Sequence, residues 1–393
     1  MKIFLLTFLL SLILANGQEW NNISFNNEDF KRIRQIDDAT LFIGSKSTIY
    51  KSSDGGSTWL EIFHIESSNG IRDFHFIDES IGYVLYYEDS TRKLAKTTDG
   101  GNSWEQKNSV NGEAIYFTNE LNGYSFESSF LHYHTNDGAD SWEDSYENAP
   151  SSAVGDIHFP NESTGYMVGW YPGGIVKTTD SGENWVKIYG PEELLDVYFT
   201  DSNTGYLVGF RNSIFKTSDG AETFTTITNE PLEFYDAYKS ISCVDENNCW
   251  MIKSNYFDTT DYYSDINYLQ NGNSITNQFS EQNTILIDIN CSLNTCYAVG
   301  ENGIILKLEH NLSLVETPKN SDLILYPNPT NEWVYVKNSI NYLITEIELY
   351  NSSGQLLETK QSFPLNLAKY NSGIYTIKIY TKNEILSFKL IKE

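Results

Sequence analysis

An eight-residue element recurs five times in this chain and limits its fold more than any other feature. It reads SSDGGSTW (Ser52–Trp59), TTDGGNSW (Thr97–Trp104), TNDGADSW (Thr135–Trp142), TTDSGENW (Thr178–Trp185) and TSDGAETF (Thr217–Phe224). Each aspartate (Asp54, Asp99, Asp137, Asp180, Asp219) has an aromatic residue five positions later (Trp59, Trp104, Trp142, Trp185, Phe224). Successive aspartates lie 45, 38, 43 and 39 residues apart. Self-similarity at such a period marks a chain built from stacked units. The element's chemistry is local. A Ser or Thr and an Asp can hold the amides of a tight turn, and Gly or a small residue tolerates the turn's backbone angles. The closing aromatic begins a strand and can wedge into the neighbouring sheet. The aspartates therefore read as turn clamps rather than catalytic acids.

A second element precedes each turn. It reads DFHFIDESIGY (Asp73–Tyr83), AIYFTNELNGY (Ala114–Tyr124), DIHFPNESTGY (Asp156–Tyr166) and DVYFTDSNTGY (Asp196–Tyr206), with Phe and Gly always six apart. Alternation, a polar loop and Gly-Tyr make a strand–turn–strand pattern. The frame continues in SISCVDENNCW (Ser240–Trp250) and DINCSLNTCY (Asp288–Tyr297), where one cysteine takes the Phe slot and the next the Gly slot. Cys243 with Cys249 and Cys291 with Cys296 thus sit across hairpins at disulfide distance, as suits an exported chain. No cysteine or histidine spacing matches a zinc site.

Each unit supplies four strands, and there are seven units. The first opens degenerately (Lys31–Ile43), and the last two lack the Asp element. Residues 18–320 divided by seven give about 43 residues per unit, a propeller-blade period. Glu19–Phe25 (EWNNISF) has the look of an orphan fourth strand, which would complete the last blade and close the ring. The expected fold is all-β: a seven-bladed β-propeller over residues 18–320, monomeric, followed by a small β-sandwich over residues 321–393.

The Asp element resembles the Asp-box (BNR) repeats of bacterial sialidases and sortilin-type propellers. The full unit is more similar to the photosystem II assembly and stability factor propellers. MVGWYPGGIVKTTDSGENW (Met167–Trp185) and LVGFRNSIFKTSDGAETF (Leu207–Phe224) carry that likeness best. At the other end, LYPNPT (Leu325–Thr330) and the strands from GIYTIKIY (Gly373–Tyr380) to Glu393 resemble the type A C-terminal sorting domain of the type IX secretion system of Bacteroidetes. That resemblance implies the secretion machinery as a partner, and a destination outside the cell or on its outer surface.

The chain's start agrees with export. Lys2 precedes an apolar run, Ile3–Leu14, too short to span a bilayer, and Ala15 and Gly17 place cleavage before Gln18. Residues 1–17 are the expected signal peptide, and no integral membrane segment is expected in what remains. The net charge is −27. Residues 321–393 hold seven acids and seven lysines, so the propeller carries the whole excess. Such a body repels nucleic acid and anionic lipid.

Candidate ligand groups fall on the face opposite the Asp turns. Asp73, Asp156, Asp196 and Asp288 share one slot at the start of the inner strands. Trp170, Tyr171, Phe210 and Arg211 lie between second and third strands, and Phe257, Tyr262 and Tyr263 lie in the longest such loop. Aromatics beside acids suit a glycan or protein ligand. Asp258, Asp261 and Asp265 match no calcium-loop spacing, and no cofactor motif is present. His75 and His158 occupy the repeat position that holds Tyr116 and Tyr198 elsewhere. The leading expectation is a secreted binding propeller without enzymatic activity. The enzymatic alternative is a sialidase-like glycoside hydrolase, which needs three clustered arginines, whereas the five here are Arg32, Arg34, Arg72, Arg92 and Arg211. A third possibility is an envelope assembly factor.

Overall fold

Residues opposite one another across a hairpin must fit in the space between two strands, and here that rule sets the repeat. In blade two Phe76 pairs with Gly82, in blade three Phe117 with Gly123, and in blade five Phe199 with Gly205. The ring covers the glycine, which has no side chain to resist it. The following Tyr then packs on the next blade. Tyr83 stacks on Phe117 and Tyr166 on Phe199, each with ring centroids 3.5 Å apart. Its hydroxyl donates to a turn carbonyl of that next blade, as from Tyr83 to Glu120 (2.7 Å) and from Tyr166 to Ser202 (2.7 Å). The lysine of the third strand lies over the same ring: Lys96 over Tyr83, Lys177 over Tyr166, Lys216 over Tyr206 and Lys307 over Tyr297. In blade three His134 replaces the lysine and stacks on Tyr124.

The computed structural model describes residues 19–66, 70–126, 132–145, 154–169, 174–227, 236–255, 262–310, 323–328, 330–338, 344–351, 356–371, 373–381 and 385–392. The expected signal peptide and the boundary at residue 320 lie outside these. The chain divides into two compact units after His310.

The first unit contains seven four-stranded antiparallel sheets among the described residues. The innermost strands are Phe30–Gln35, Ile71–Phe76, Ala114–Phe117, Val154–His158, Leu194–Phe199, Asp236–Asp245 and Leu286–Cys291. Six sheets are built from consecutive strands. The seventh takes its outermost strand from the chain's beginning: Trp20–Asn22 pairs antiparallel with Leu306–Leu308, in the register Trp20↔Leu308 and Asn22↔Leu306. That pairing closes the ring and covers the last blade's edge. The two cysteine pairs are disulfides, with Cα separations of 4.0 Å (Cys243–Cys249) and 4.1 Å (Cys291–Cys296). They stand at the paired positions that Phe and Gly hold in the other blades.

The five Asp turns share one network. The Thr or Ser hydroxyl that precedes the Asp accepts an amide four residues on, as at Gly101 N–H to Thr97 Oγ1 (2.9 Å) and Ala221 N–H to Thr217 Oγ1 (3.0 Å). The carboxylate accepts both the amide and the side chain of the residue four positions after it. Ser103 donates to Asp99 at 2.8 and 2.6 Å, Asn184 to Asp180 at 2.9 and 2.7 Å, and Thr58 to Asp54 at 2.8 and 2.7 Å. Trp104 donates to the Ile62 carbonyl of the preceding blade (2.9 Å), while Trp185 is buried against Tyr124 and Phe159.

The second unit is a β-sandwich. One sheet joins Leu323–Tyr326, Trp333–Asn338 and Leu365–Asn366, and the other joins Leu356–Lys360, Ile344–Tyr350, Gly373–Thr381 and Ile385–Lys392. Its core includes Leu325 and Val334 from the first sheet and Ile347, Leu349, Ile377, Ile379 and Leu390 from the second.

Candidate functional site in the central channel

The inner strand of each blade has one edge with no strand beside it. Its amides on that edge need acceptors. Side chains of the preceding blade supply them, in two tiers. In the first, Asp73 accepts the amide of Ile115 (2.9 Å), Asp196 that of Ile241 (2.8 Å) and Asp288 that of Ile33 (2.9 Å). In blade six Ser240 holds the slot, accepts from Ile289 (3.4 Å) and donates to Asp288 (3.0 Å). Two residues further along comes the second tier. Tyr116 accepts from Phe159 (3.5 Å), His158 Nδ1 from Phe199 (3.2 Å), Ser242 from Cys291 (3.0 Å) and Asn290 from Gln35 (2.7 Å). Asp73, Asp196 and Asp288 are thus latches from blade to blade.

A register shift precedes the slot in six blades: Phe30/Arg32, Ile71/Asp73, Val154/Asp156, Leu194/Asp196, Tyr238/Ser240 and Leu286/Asp288. A bulge of this kind re-aims the next side chain. Nothing in the alternation of the strands announces it.

Blade one breaks the pattern. Arg32 occupies the slot and meets Asp73 at 3.1 Å and Asp156 at 3.8 Å. Asp73 above all, then Asp288, Asp156 and Asp196, favour its charged form, against the cost of burial. Burial, and then the carboxylate of Asp156 beside it, push the Asp196 carboxyl well above the ordinary range. Asp156 is raised too, by burial, although Arg32 pulls against it. The two facing carboxyls retain a proton that isolated aspartates would release.

A cavity of about 420 Å³ runs along this wall. Arg32, Asp156, Asp196 and Asp288 line one end, and Arg34, His75, Tyr116, His158, Tyr198 and Asn290 the middle. It reaches Asn161 and Glu162, both exposed, at the Phe-to-Gly turn of blade four. Asp73 lines a separate space of about 30 Å³ beside Ala114, the small residue that fills the slot in blade three. His75 and His158, spaced as simple repeat positions in the sequence, face one cavity. Burial, with Arg34 nearby, pushes His158 down to about 3 and His75 well below its ordinary value, so both are neutral.

The remaining candidates lie apart from this cavity or beyond the described residues. Trp170, Tyr171 and Phe257 are outside the described residues, as are Asp258 and Asp261. Phe210 bridges to Ala237, and Arg211 pairs with Glu193 at 3.1 Å. The Tyr262 carbonyl accepts the Asn283 amide (2.9 Å), and the Tyr263 hydroxyl donates to Asp236 (2.9 Å). No group of three or more metal-ligating side chains occurs among the described residues. Arg34 and its tier carry only a weak sequence signal, the position two residues after the slot.

The propeller is similar to solved structures of the same architecture. It resembles "YCF48 bound to D1 peptide", with a TM-score of 0.58 and 16% identity over 76% of this chain and 99% of that one. It also resembles the GH74 enzyme of Niastella koreensis, with a TM-score of 0.59 and 12% identity over 95% of this chain and 74% of that one. The extracellular domain of the putative hybrid two component system BT4673 of B. thetaiotaomicron aligns with a TM-score of 0.56 and 11% identity, over 96% of this chain and 60% of that one. At these identities the likeness is one of fold. No curated protein matches the chain in sequence. Residues 324–393 match the family model for the secretion system C-terminal sorting domain, so the chain is a β-propeller cargo of type IX secretion, exported to the cell surface or outside.

Proposed function

We propose that the exported chain is a binding protein whose ligand, a glycan or a protein, enters the central channel of the propeller. The observation that carries this reading is the cavity of about 420 Å³, whose middle is lined by a guanidinium, two imidazoles, two phenols and an amide. Pockets of this size with a few convergent polar groups are typical small-ligand or anchor sites. A peptide bound to a propeller of similar fold, in the YCF48 structure, is consistent with it. The repeated Asp turns act as Asp boxes that brace the blades, the chain is cleaved before Gln18, and the ring works as a monomer.

The hydrolase reading comes from the sialidase likeness of the Asp element, and in the channel it would draw on the neighbouring carboxyls Asp156 and Asp196. Both oxygens of Asp196, however, accept backbone amides, from Val197 (2.6 Å) and Ile241 (2.8 Å). A carboxyl committed to two amides suits a latch better than a proton shuttle. The test is a titration of the exported protein against polysaccharides and envelope proteins. Saturable binding supports the proposal. A folded protein that binds none of them, or that releases sugar from a polysaccharide, overturns it, and co-purification with a membrane complex would favour an assembly role.

A further inference from the structure

The second tier of the channel is a ring of hydrogen-bond donors. Each latch uses up an acceptor and leaves a donor. His158 accepts on Nδ1, so the neutral ring carries its proton on Nε2. Tyr116 accepts the Phe159 amide and keeps its O–H, and Asn290 accepts the Gln35 amide with Oδ1 and keeps its Nδ2 hydrogens. Among them stands Arg34, its guanidinium 5.7 Å from the centre of the Tyr116 ring. Arg34 Nε is buried without a hydrogen-bond partner, as is Nδ1 of His75, a residue only 6% exposed. No carboxylate lies within ion-pair distance of Arg34 among the described residues, in contrast to Arg32. Arg34 acts on the Asp156 carboxylate only from beyond ion-pair distance, and an arginine cannot shed its charge, so its fork stays open to a closer anion.

We infer that this tier is a receptor for a carboxylate group, held by the Arg34 fork and by donors from His158, Tyr116, Tyr198 and Asn290. Arg and carboxylate match in plane and spacing, which makes the pair bidentate and selective. The acidic tier lies about 7 Å away along the strands, two residues at the usual rise. Arg32 stands between Asp73 and Asp156 there and offsets part of its charge. The cavity admits a sugar acid or the free end of a peptide, and both present the same group. The inference rests on the reading that the ligand enters the channel, and it specifies the chemistry of the anchor.

The experiment is calorimetric titration of the exported protein with acetate, glucuronate and an N-acetylated dipeptide bearing a free carboxylate, each beside its carboxamide counterpart. The expected result is saturable binding of the carboxylates, at least tenfold weaker for the carboxamides, and at least tenfold weaker in Arg34→Gln. Tighter binding of glucuronate would identify the source as a sugar acid, and tighter binding of the dipeptide a chain end. Asn290→Asp is the second variant, for use where Arg34→Gln does not fold. It keeps the acceptor for Gln35 but replaces a donor with a negative charge, and it should abolish carboxylate binding with an unchanged melting temperature. Carboxylates that do not bind, or that bind both variants as they bind the parent, overturn the inference. A glycan or protein that binds parent and Arg34→Gln equally well removes the carboxylate receptor but leaves the binding function standing. Carboxylate binding without any macromolecular ligand does the reverse.

Discussion

Phe76 lies flat over Gly82, its partner across the inner hairpin of blade two, so closely that a Cβ on Gly82 would stand 2.4 Å from the ring. The same holds for Gly123 under Phe117 (2.3 Å), Gly165 under Phe159 (2.4 Å) and Gly205 under Phe199 (2.5 Å). The ring is pinned from its other side as well, since Phe76 stacks on Phe42 of blade one at 3.5 Å. It has nowhere to move.

Gly82→Ala should therefore destabilise the propeller by about 1–3 kcal/mol, the usual cost of overpacking a tight core. Phe76→Leu in the same chain should recover part of the loss by opening space. Denaturant melts of the two variants test this, and an unchanged midpoint for Gly82→Ala would show that the ring can step aside.

In blades six and seven a covalent link replaces the ring over the glycine. The cysteines are only six and five residues apart in sequence, so each closes a short loop. Replacing Cys243 and Cys249 together with serine should cost roughly 2 kcal/mol in the chain-entropy model, before any loss from burying two hydroxyls. Melts with and without reductant measure it. A parent protein indifferent to reductant, with thiols shown to be free, would contradict the estimate.

Trp20–Asn22 completes the seventh sheet, and Trp20 is 7% exposed. Removing residues 19–25 should lower the melting midpoint, because the third strand of blade seven, Ile305–Glu309, loses its neighbour. A chain ending at Asn320 and made by another secretory route should retain the midpoint of the full protein's propeller. The opposite pair of outcomes would show that the ring depends on the C-terminal unit rather than on its own first strand.

The dependence of stability on pH follows from two sets of carboxyls with opposite signs. Hydrogen bonds hold Asp137, through Ser141, and Asp219, through Thr223, down to about 2. Their contribution is present above the ordinary value of 3.8 and is lost as pH falls towards 2. Asp196 is raised, so the folded state keeps a proton that the unfolded chain has released. Its contribution is complete below 3.8 and is lost as pH rises through the raised value. Asp196→Asn retains an acceptor for Ile241 and removes the proton. It should flatten the decline of the melting midpoint as pH rises above the ordinary value of 3.8. Parallel profiles for parent and variant would exclude this origin.

The sorting domain leads to a prediction in the native host. A chain lacking residues 324–393 should remain in the periplasm, whereas the parent reaches the surface or the medium. Cell fractionation distinguishes the two, and normal release of the shortened chain would mean that the export signal lies elsewhere.

The propeller was legible because its determinants are local. A ring must meet a glycine six residues on, a hydroxyl and a carboxylate must hold one turn, and both constraints repeat visibly along the chain. The closing strand was legible too, since Glu19–Phe25 had the form of an outer strand with no blade of its own. The channel was not. Arg32 and Arg34 read in sequence only as two of five arginines, in a first unit that opens degenerately. Only the closed ring brings Arg32 to Asp73 and Asp156, and Ile33 to Asp288, 255 residues away along the chain. The slot aspartates looked like ligand groups because their spacing was regular. In the folded chain Asp73, Asp196 and Asp288 also hold backbone amides of the next blade, and Asp156 meets Arg32. Period and pairing are written in neighbouring residues. Which side chain is left without a partner depends on all seven blades at once, and that belongs to the tertiary structure alone.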